Sequence, residues 1–125
     1  MLTDDPTIRR VNRRVFSADV PTDVISIAYP PLPGDPGQYS ADVVVNVQRA
    51  VDYVAGQSAI RRDRMRKRRW TADSELALYI AHGIDHLTGA DDAAYADRRR
   101  MRGRELRWLR KASEAGLLQG LIKRT

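Results

Sequence analysis

The residues of this chain best suited to chemistry lie in one segment, His82-Gly83-Ile84-Asp85-His86-Leu87-Thr88-Gly89-Ala90-Asp91-Asp92. His82 and His86 stand four apart, and on a helix residues four apart share one face, about one turn from each other. Two imidazoles placed in that way can grip one metal ion. Gly89 lets the chain leave the helix and turn back, which brings Asp92 into reach as a third ligand. Zinc accepts imidazole nitrogen and carboxylate oxygen, and its catalytic sites keep a fourth position for water. The expected centre is therefore one zinc ion held by His82, His86 and Asp92, open enough to activate a water. A histidine pair at this spacing is weak evidence alone, because two partly exposed helix residues give the same pattern. The glycine and the aspartate at fitting offsets strengthen it, and the chain has no other histidine.

The same spacing occurs in the metzincin proteases, whose motif is H-E-x-x-H-x-x-G-x-x-H. That chemistry needs a glutamate beside the first histidine as general base. Gly83 stands there and has no group to take a proton, so peptide hydrolysis by that route is disfavoured. Asp85 is the nearest carboxylate, on a different helical face. It either orients a ligand or is solvated, and the second reading is favoured.

The elements around this segment follow from periodicity and breakers. Ile8, Val11 and Val15 have helical spacing after Pro6, with Pro21 expected to break that helix. Val24 to Tyr29 is rich in β-branched residues and reads as a strand. Pro30 to Gly37 holds four prolines and two glycines and must be a loop. Ala41 to Asn46 reads as a second strand. Val47, Ala50, Val51 and Val54 then mark a helix with one buried face, expected to end at Gly56. Thr71 or Asp73 caps the next helix, with Leu76, Ile80, Ile84 and Leu87 on one face and Gly89 as its stop. A last helix runs from about Ala94 to Ala115, with Met101, Leu106, Trp108 and Leu109 as its apolar positions.

At 125 residues the chain fits one domain, residues 1–125, and 42% hydrophobic residues suffice for a core. No internal repeat is evident. The absence of cysteine excludes disulfides and thiolate metal sites and suits a cytoplasmic protein. No stretch approaches the roughly 20 apolar residues of a membrane helix, and Met1 to Arg10 is too charged for a signal peptide. Charge is uneven. Residues 1–60 hold five Arg and seven Asp, a net of −2, whereas residues 61–125 hold 17 basic and nine acidic residues, a net of +8, together the +6 of the whole chain. A basic half fits a polyanion, nucleic acid being the commonest, and on charge alone it fits a solvated arginine-rich surface equally well. The densest run is Arg61, Arg62, Arg64, Arg66, Lys67, Arg68 and Arg69, interrupted by one acid. These seven are the expected nucleic-acid-binding residues, and each phosphate contact they make should add about 0.7 to the slope of log affinity against log salt for a single strand.

The segment His82 to Asp92 resembles the signature H-G-x-L-H-L-x-G-Y-D-H of the YbeY family of rRNA-maturation endoribonucleases. Asn12 followed by Pro21-Thr22-Asp23-Val24-Ile25-Ser26 is similar to that family's N…P-T-D-V-L-S-F, and Ala41-Asp42-Val43-Val44-Val45 to its G-D-I-V-I strand. Met101 and Glu105 fit its last helix. The matches occur in the family's order and cover most of the chain. The resemblance implies an α+β fold, a small sheet packed on helices that carry the metal-binding histidines. It implies a single-strand-specific endoribonuclease that matures the 3′ end of 16S rRNA, with precursor rRNA and the small ribosomal subunit as partners and no DNA specificity. Four departures matter. Asp92 replaces a third histidine, the family's arginine ahead of P-T-D-V falls on Phe16, the family usually has a strand and a helix before the position of Met1, and the stretch from the strand Ala41–Asn46 to His82 is longer than usual, its extra residues expected to include Arg61–Arg69. Arg13 and Arg14 are then the expected catalytic arginines, pairing with phosphate oxygens as charge builds up in cleavage. The alternative is a metal-containing RNA-binding factor in small-subunit assembly that does not cut RNA.

Overall fold

The computed structural model describes residues 1–31, 33–34, 40–64, 70–89 and 94–122, with backbone alone for 57–64. Within them the elements run β1 (Leu2–Thr3), α1 (Asp5–Phe16), β2 (Val24–Tyr29), β3 (Ser40–Asn46), α2 (Val47–Arg64), α3 (Ala72–Leu87) and α4 (Tyr95–Glu114). The sheet order is β1-β3-β2. The strand β2 lies antiparallel to β3, with Val24 opposite Val45 and Tyr29 opposite Ser40. On the other side β1 pairs in parallel with β3, Leu2 opposite Val45. This is the expected α+β architecture with a small mixed sheet.

Alternation along the strands sorts the two faces of the sheet. Ile25 and Val44 turn toward α1 and bury Ile8 between them. Val43, Val45 and Val24 turn the other way, onto Leu76 and Tyr79 of α3. On its far side α3 packs Ala77, Leu78 and Ala81 against Leu109 of α4. The layers are thus α1, sheet, α3 and α4. Because α3 is enclosed by the sheet and α4 together, its buried residues go round most of its circumference rather than along the single stripe that the sequence suggests. Ile84, placed on that stripe, is 45% exposed.

Gly83 explains how α3 can lie so close to the sheet. A Cβ there would sit 2.8 Å from Val24 Cγ2 and 2.9 Å from Val43 Cγ1. At the same position the Ser26 hydroxyl donates to the Gly83 carbonyl at 2.7 Å. Gly83→Ala should therefore cost about 1–3 kcal/mol, the range for overpacking a well-filled core. Urea unfolding measures it; an unchanged midpoint and slope would show that α3 does not need this close approach.

The junction β3–α2 turns on Asn46, which is fully buried. Its Oδ1 accepts from the Arg49 amide at 3.0 Å, capping α2, while its Nδ2 donates to Asp5 Oδ1 and to the Thr22 carbonyl. One side chain thereby ties the starts of α1 and α2 to the segment leading into β2.

Four expectations are corrected. The first helix ends at Ser17, not at Pro21. Ser17 adopts φ 56° and its amide closes onto the Arg13 and Asn12 carbonyls, so the helix is already capped four residues before the proline. The helix α2 does not end at Gly56 but continues to Arg64. Interior glycine costs a helix only about 1 kcal/mol and terminates it where the backbone turns left-handed, which Gly56 does not. The expected buried face of that helix is also narrower, since Val51 is 42% exposed while Ala50 is buried. In α4 the buried residues are Met101, Glu105 and Leu109, spaced four apart, whereas Leu106 and Trp108 are 40% and 39% exposed. One stripe of α4 meets α3, and those two lie off it. The helix α3 starts as expected, with the Thr71 side chain accepting from the Ser74 amide at 3.2 Å and Ser74 returning the contact as a capping box. Among the described residues no helix is long and apolar enough to cross a membrane.

Candidate metal centre

The two histidines project from the C-terminal half of α3 and converge. His82 Nε2 and His86 Nε2 are 3.1 Å apart. Their rings meet edge to face, centroids 4.5 Å apart and planes at 77°. Two imidazole nitrogens on one zinc ion, each about 2.0–2.1 Å from it, stand a little over 3 Å from each other. The separation of the pair is therefore close to that of two ligands on one ion, with the two ring nitrogens in hydrogen-bond contact in this structure.

What orients His82 comes from α4. Its Nδ1 lies 3.2 and 3.1 Å from the two carboxylate oxygens of Glu105. A carboxylate only accepts, so Nδ1 carries the proton and donates it. In the neutral ring the lone pair is then on Nε2, where it accepts from His86 Nε2–H and where a metal would replace that proton. Glu105 is fully buried. Its hydrogen bond raises the His82 pKa above the usual imidazole value, with burial opposing and the charges of Glu105 and Asp23 reinforcing the shift. A carboxylate behind a ligating imidazole is the usual way in which proteins fix its tautomer and raise its basicity.

Asp85, expected in solvent, is instead fully buried. The guanidinium of Arg104 donates to its Oδ1 from Nη2 at 2.6 Å and Nε at 3.1 Å. The other oxygen, Oδ2, is buried with no hydrogen-bond partner among the described residues. The correction has a simple cause. Asp85 lies on the side of α3 that α4 covers, three residues from His82, so α4 contributes an arginine to one carboxylate and a carboxylate to one imidazole.

Gly89 has φ +90°, so the chain does leave α3 through a left-handed residue. Asp92, the expected third ligand, lies outside the described residues, and among those described no three His, Asp or Glu side chains gather as a metal site. Of the expected RNA-binding run, Arg61, Arg62 and Arg64 fall in the last turn of α2 with side chains undescribed, and Arg66, Lys67, Arg68 and Arg69 lie outside the described residues. Arg13 is 62% exposed and stands 3.8 Å from Asp19, and Arg14 is exposed. The helix α1 presents Asn12 and Phe16, not these arginines, to the groove of about 480 Å³ beside His82 and His86.

Two further cavities open at His82. One, of about 530 Å³, is bordered by Tyr95, Arg98, Arg99, Arg102 and Glu105 of α4. The other, of about 540 Å³, reaches Asp23, Arg49, Tyr53, Trp70 and Arg102. Among the described residues, Arg49, Arg98, Arg99 and Arg102 are thus basic residues that the fold brings to cavities shared with His82. Sequence reasoning missed them because the strongest run of charge lies elsewhere. The i+4 rhythm of Met101, Glu105 and Leu109 was the available signal for Glu105, since a carboxylate on a buried stripe needs a partner.

A family model described as Endoribonuclease YbeY matches residues 1–113. The chain is similar to an Endoribonuclease YbeY of Anaeromyxobacter sp. (strain Fw109-5), 34% identical over 122 residues, 98% of this chain and 54% of that protein. It is also similar to those of Solibacter usitatus (strain Ellin6076), 34% identical over 99% of this chain and 69% of the relative, and Roseiflexus sp. (strain RS-1), 32% identical over 88% and 66%. The chain thus spans little more than half the length of the Anaeromyxobacter protein. With the family model covering nearly all of it and its strands, glycine and histidine pair in the expected places, the chain belongs to the Endoribonuclease YbeY family.

Proposed function

We propose that this chain cleaves single-stranded RNA at one metal ion, zinc by the character of its ligands, held by His82, His86 and Asp92. The observation that carries this reading is the convergence of the two Nε2 atoms at 3.1 Å with His82 fixed from behind by a buried carboxylate. The bound ion supplies polarisation of a water and of the scissile phosphate. The chain's own residues do the rest. Glu105 keeps the His82 lone pair on Nε2. Arg98, Arg99 and Arg102 line the cavity against His82, where guanidinium groups pair with phosphate oxygens and offset the charge that develops in cleavage. Arg13 and Arg14, on the solvent side of α1, and the run Arg61–Arg69 supply further phosphate contacts to the RNA. The substrate on this reading is the 3′ end of precursor 16S rRNA, presented on the small ribosomal subunit in the cytoplasm.

Phe16 favours a second reading. It occupies the groove beside both histidines, where the family resemblance calls for an arginine. Without that cation the chain would bind RNA and metal in ribosome assembly and leave the strand intact.

One assay tests both. The purified chain is incubated with end-labelled single-stranded RNA, with and without chelator, and its metal content is measured. Cleavage that chelator abolishes, and that His86→Ala also abolishes, is the expected result. Stoichiometric metal and salt-dependent RNA binding with no cleavage would establish the second reading instead. Cleavage unaffected by chelator would sink the metal mechanism.

A further inference from the structure

We propose that the cavity between α2, α3 and α4 is a nucleobase subsite, holding by stacking the base of a nucleotide next to the cleaved phosphate. This rests on the RNA-cleaving reading and names the part of the substrate that the site holds.

Three observations support it. The cavity, about 540 Å³, has His82 in its wall, so a ligand there is beside the reacting phosphate. That volume lies within the roughly 300–1,000 Å³ range of small-ligand sites, the size class of one nucleotide. One of its aromatic residues is held in place. Trp70, half-buried, donates its indole N–H to Glu75 Oε2 at 2.6 Å, and Glu75 is 4% exposed, so the ring cannot swing away without breaking a buried bond. Tyr53 lines the same cavity from α2. Aromatic rings bordering a cavity are what a single-strand binder uses to stack bases, since every base has a π face. The third observation is charge. Arg49 from the first turn of α2 and Arg102 from α4 line the cavity together with the carboxylates of Asp23 and Glu75, so cations from two helices border the cavity that the rings line. A flat apolar body between two anionic linkages is the chemical description of a nucleotide within a strand. A surface that recognised only the backbone would need the arginines and not the rings.

The test compares two RNA-length probes of equal charge, an oligoadenylate of about eight nucleotides and its abasic counterpart, within the usual single-strand site size. Binding is measured in chelator, so that neither cleavage nor metal loading enters. The wild-type chain should bind the base-bearing strand about tenfold more tightly, as one stacked base provides. Tyr53→Ala should bring that ratio close to one while the abasic strand binds as it does to the wild-type chain, which a merely structural loss would not allow, and Tyr53→Phe, which keeps the ring, should keep the ratio. Equal binding of the two probes by the wild-type chain overturns the subsite while leaving backbone RNA binding intact. So does a ratio unchanged in Tyr53→Ala. Failure of both probes to bind at low salt sinks the RNA reading itself together with this one.

Discussion

Arg104→Met should lower the free energy of unfolding by about 3 kcal/mol, a large share of the roughly 5–15 kcal/mol that holds a small domain together. The reason is the asymmetry of buried ion pairs. Asp85 is fully buried, Arg104 is its partner, and its second oxygen has no hydrogen-bond partner among the described residues. Removing the guanidinium strands a carboxylate in the α3–α4 interface, and its desolvation is then offset by nothing. The lower end of the usual 3–5 kcal/mol range applies because the Arg104 side chain is 39% exposed, which lets water reach part of the site. The double variant Asp85→Leu/Arg104→Met should recover most of the loss, since an apolar pair of similar volume is often as stable as the ions it replaces. Arg9 supplies the contrast. Its Nε is 2.9 Å from Asp19, as good a geometry, but the two side chains are 53% and 50% exposed. Exposed pairs contribute about 0–1 kcal/mol, so Arg9→Met should change stability little. Urea unfolding of the three variants decides the matter. A loss below about 1 kcal/mol for Arg104→Met would mean that this pair does not hold the two helices together.

The difference between Asp85 and Asp19 marks the limit of what the sequence could reveal. Strands β2 and β3 were legible because β-branched residues alternate between two covered faces, and the cap at Thr71 because capping is local chemistry. The histidine pair was legible because i, i+4 spacing is fixed by the helix itself. The burial of Asp85 was not, because it depends on which side of α3 receives α4, and that is settled by Met101 and Leu109, 16 and 24 residues further along the chain. Asn46 escaped for the same reason. It reads as the last residue of a strand, yet its amide reaches Asp5 and Thr22, neighbours only in the folded sheet. Gly83 was noticed for the proton it cannot take, while its steric role against Val24 and Val43 required the register of both strands. Arg102 and Arg49 could not be distinguished from the other arginines until the cavities that meet at His82 were defined.

Glu105→Gln should weaken metal binding about 10- to 100-fold, the usual effect of losing the carboxylate behind a ligating histidine. Glutamine matches glutamate in shape but can present its amide N–H₂ to Nδ1, which favours the tautomer with the proton on Nε2, where the metal must bind. The pH dependence carries a second signature. The Glu105 hydrogen bond raises the His82 pKa, so in the wild-type chain protons compete for that ring up to a higher pH than the usual imidazole value of about 6.5. Metal retention should then fall as pH drops through the raised value. In Glu105→Gln the raising partner is gone, so retention falls at lower pH even though its plateau at high pH is weaker. The metal-free proteins should differ in the linked sense. A raised folded pKa contributes stability that is fully present below the unfolded imidazole pKa and is lost as pH rises through the folded value, and Glu105→Gln should flatten that decline. Metal titrations at several pH values, read by competition with a chromogenic chelator, separate these effects. A general loosening of the fold would lower affinity at every pH without moving the midpoint. If the plateau fell and the midpoint stayed, Glu105 would be a packing residue, and the orientation of His82 would have to come from His86 and α3 alone.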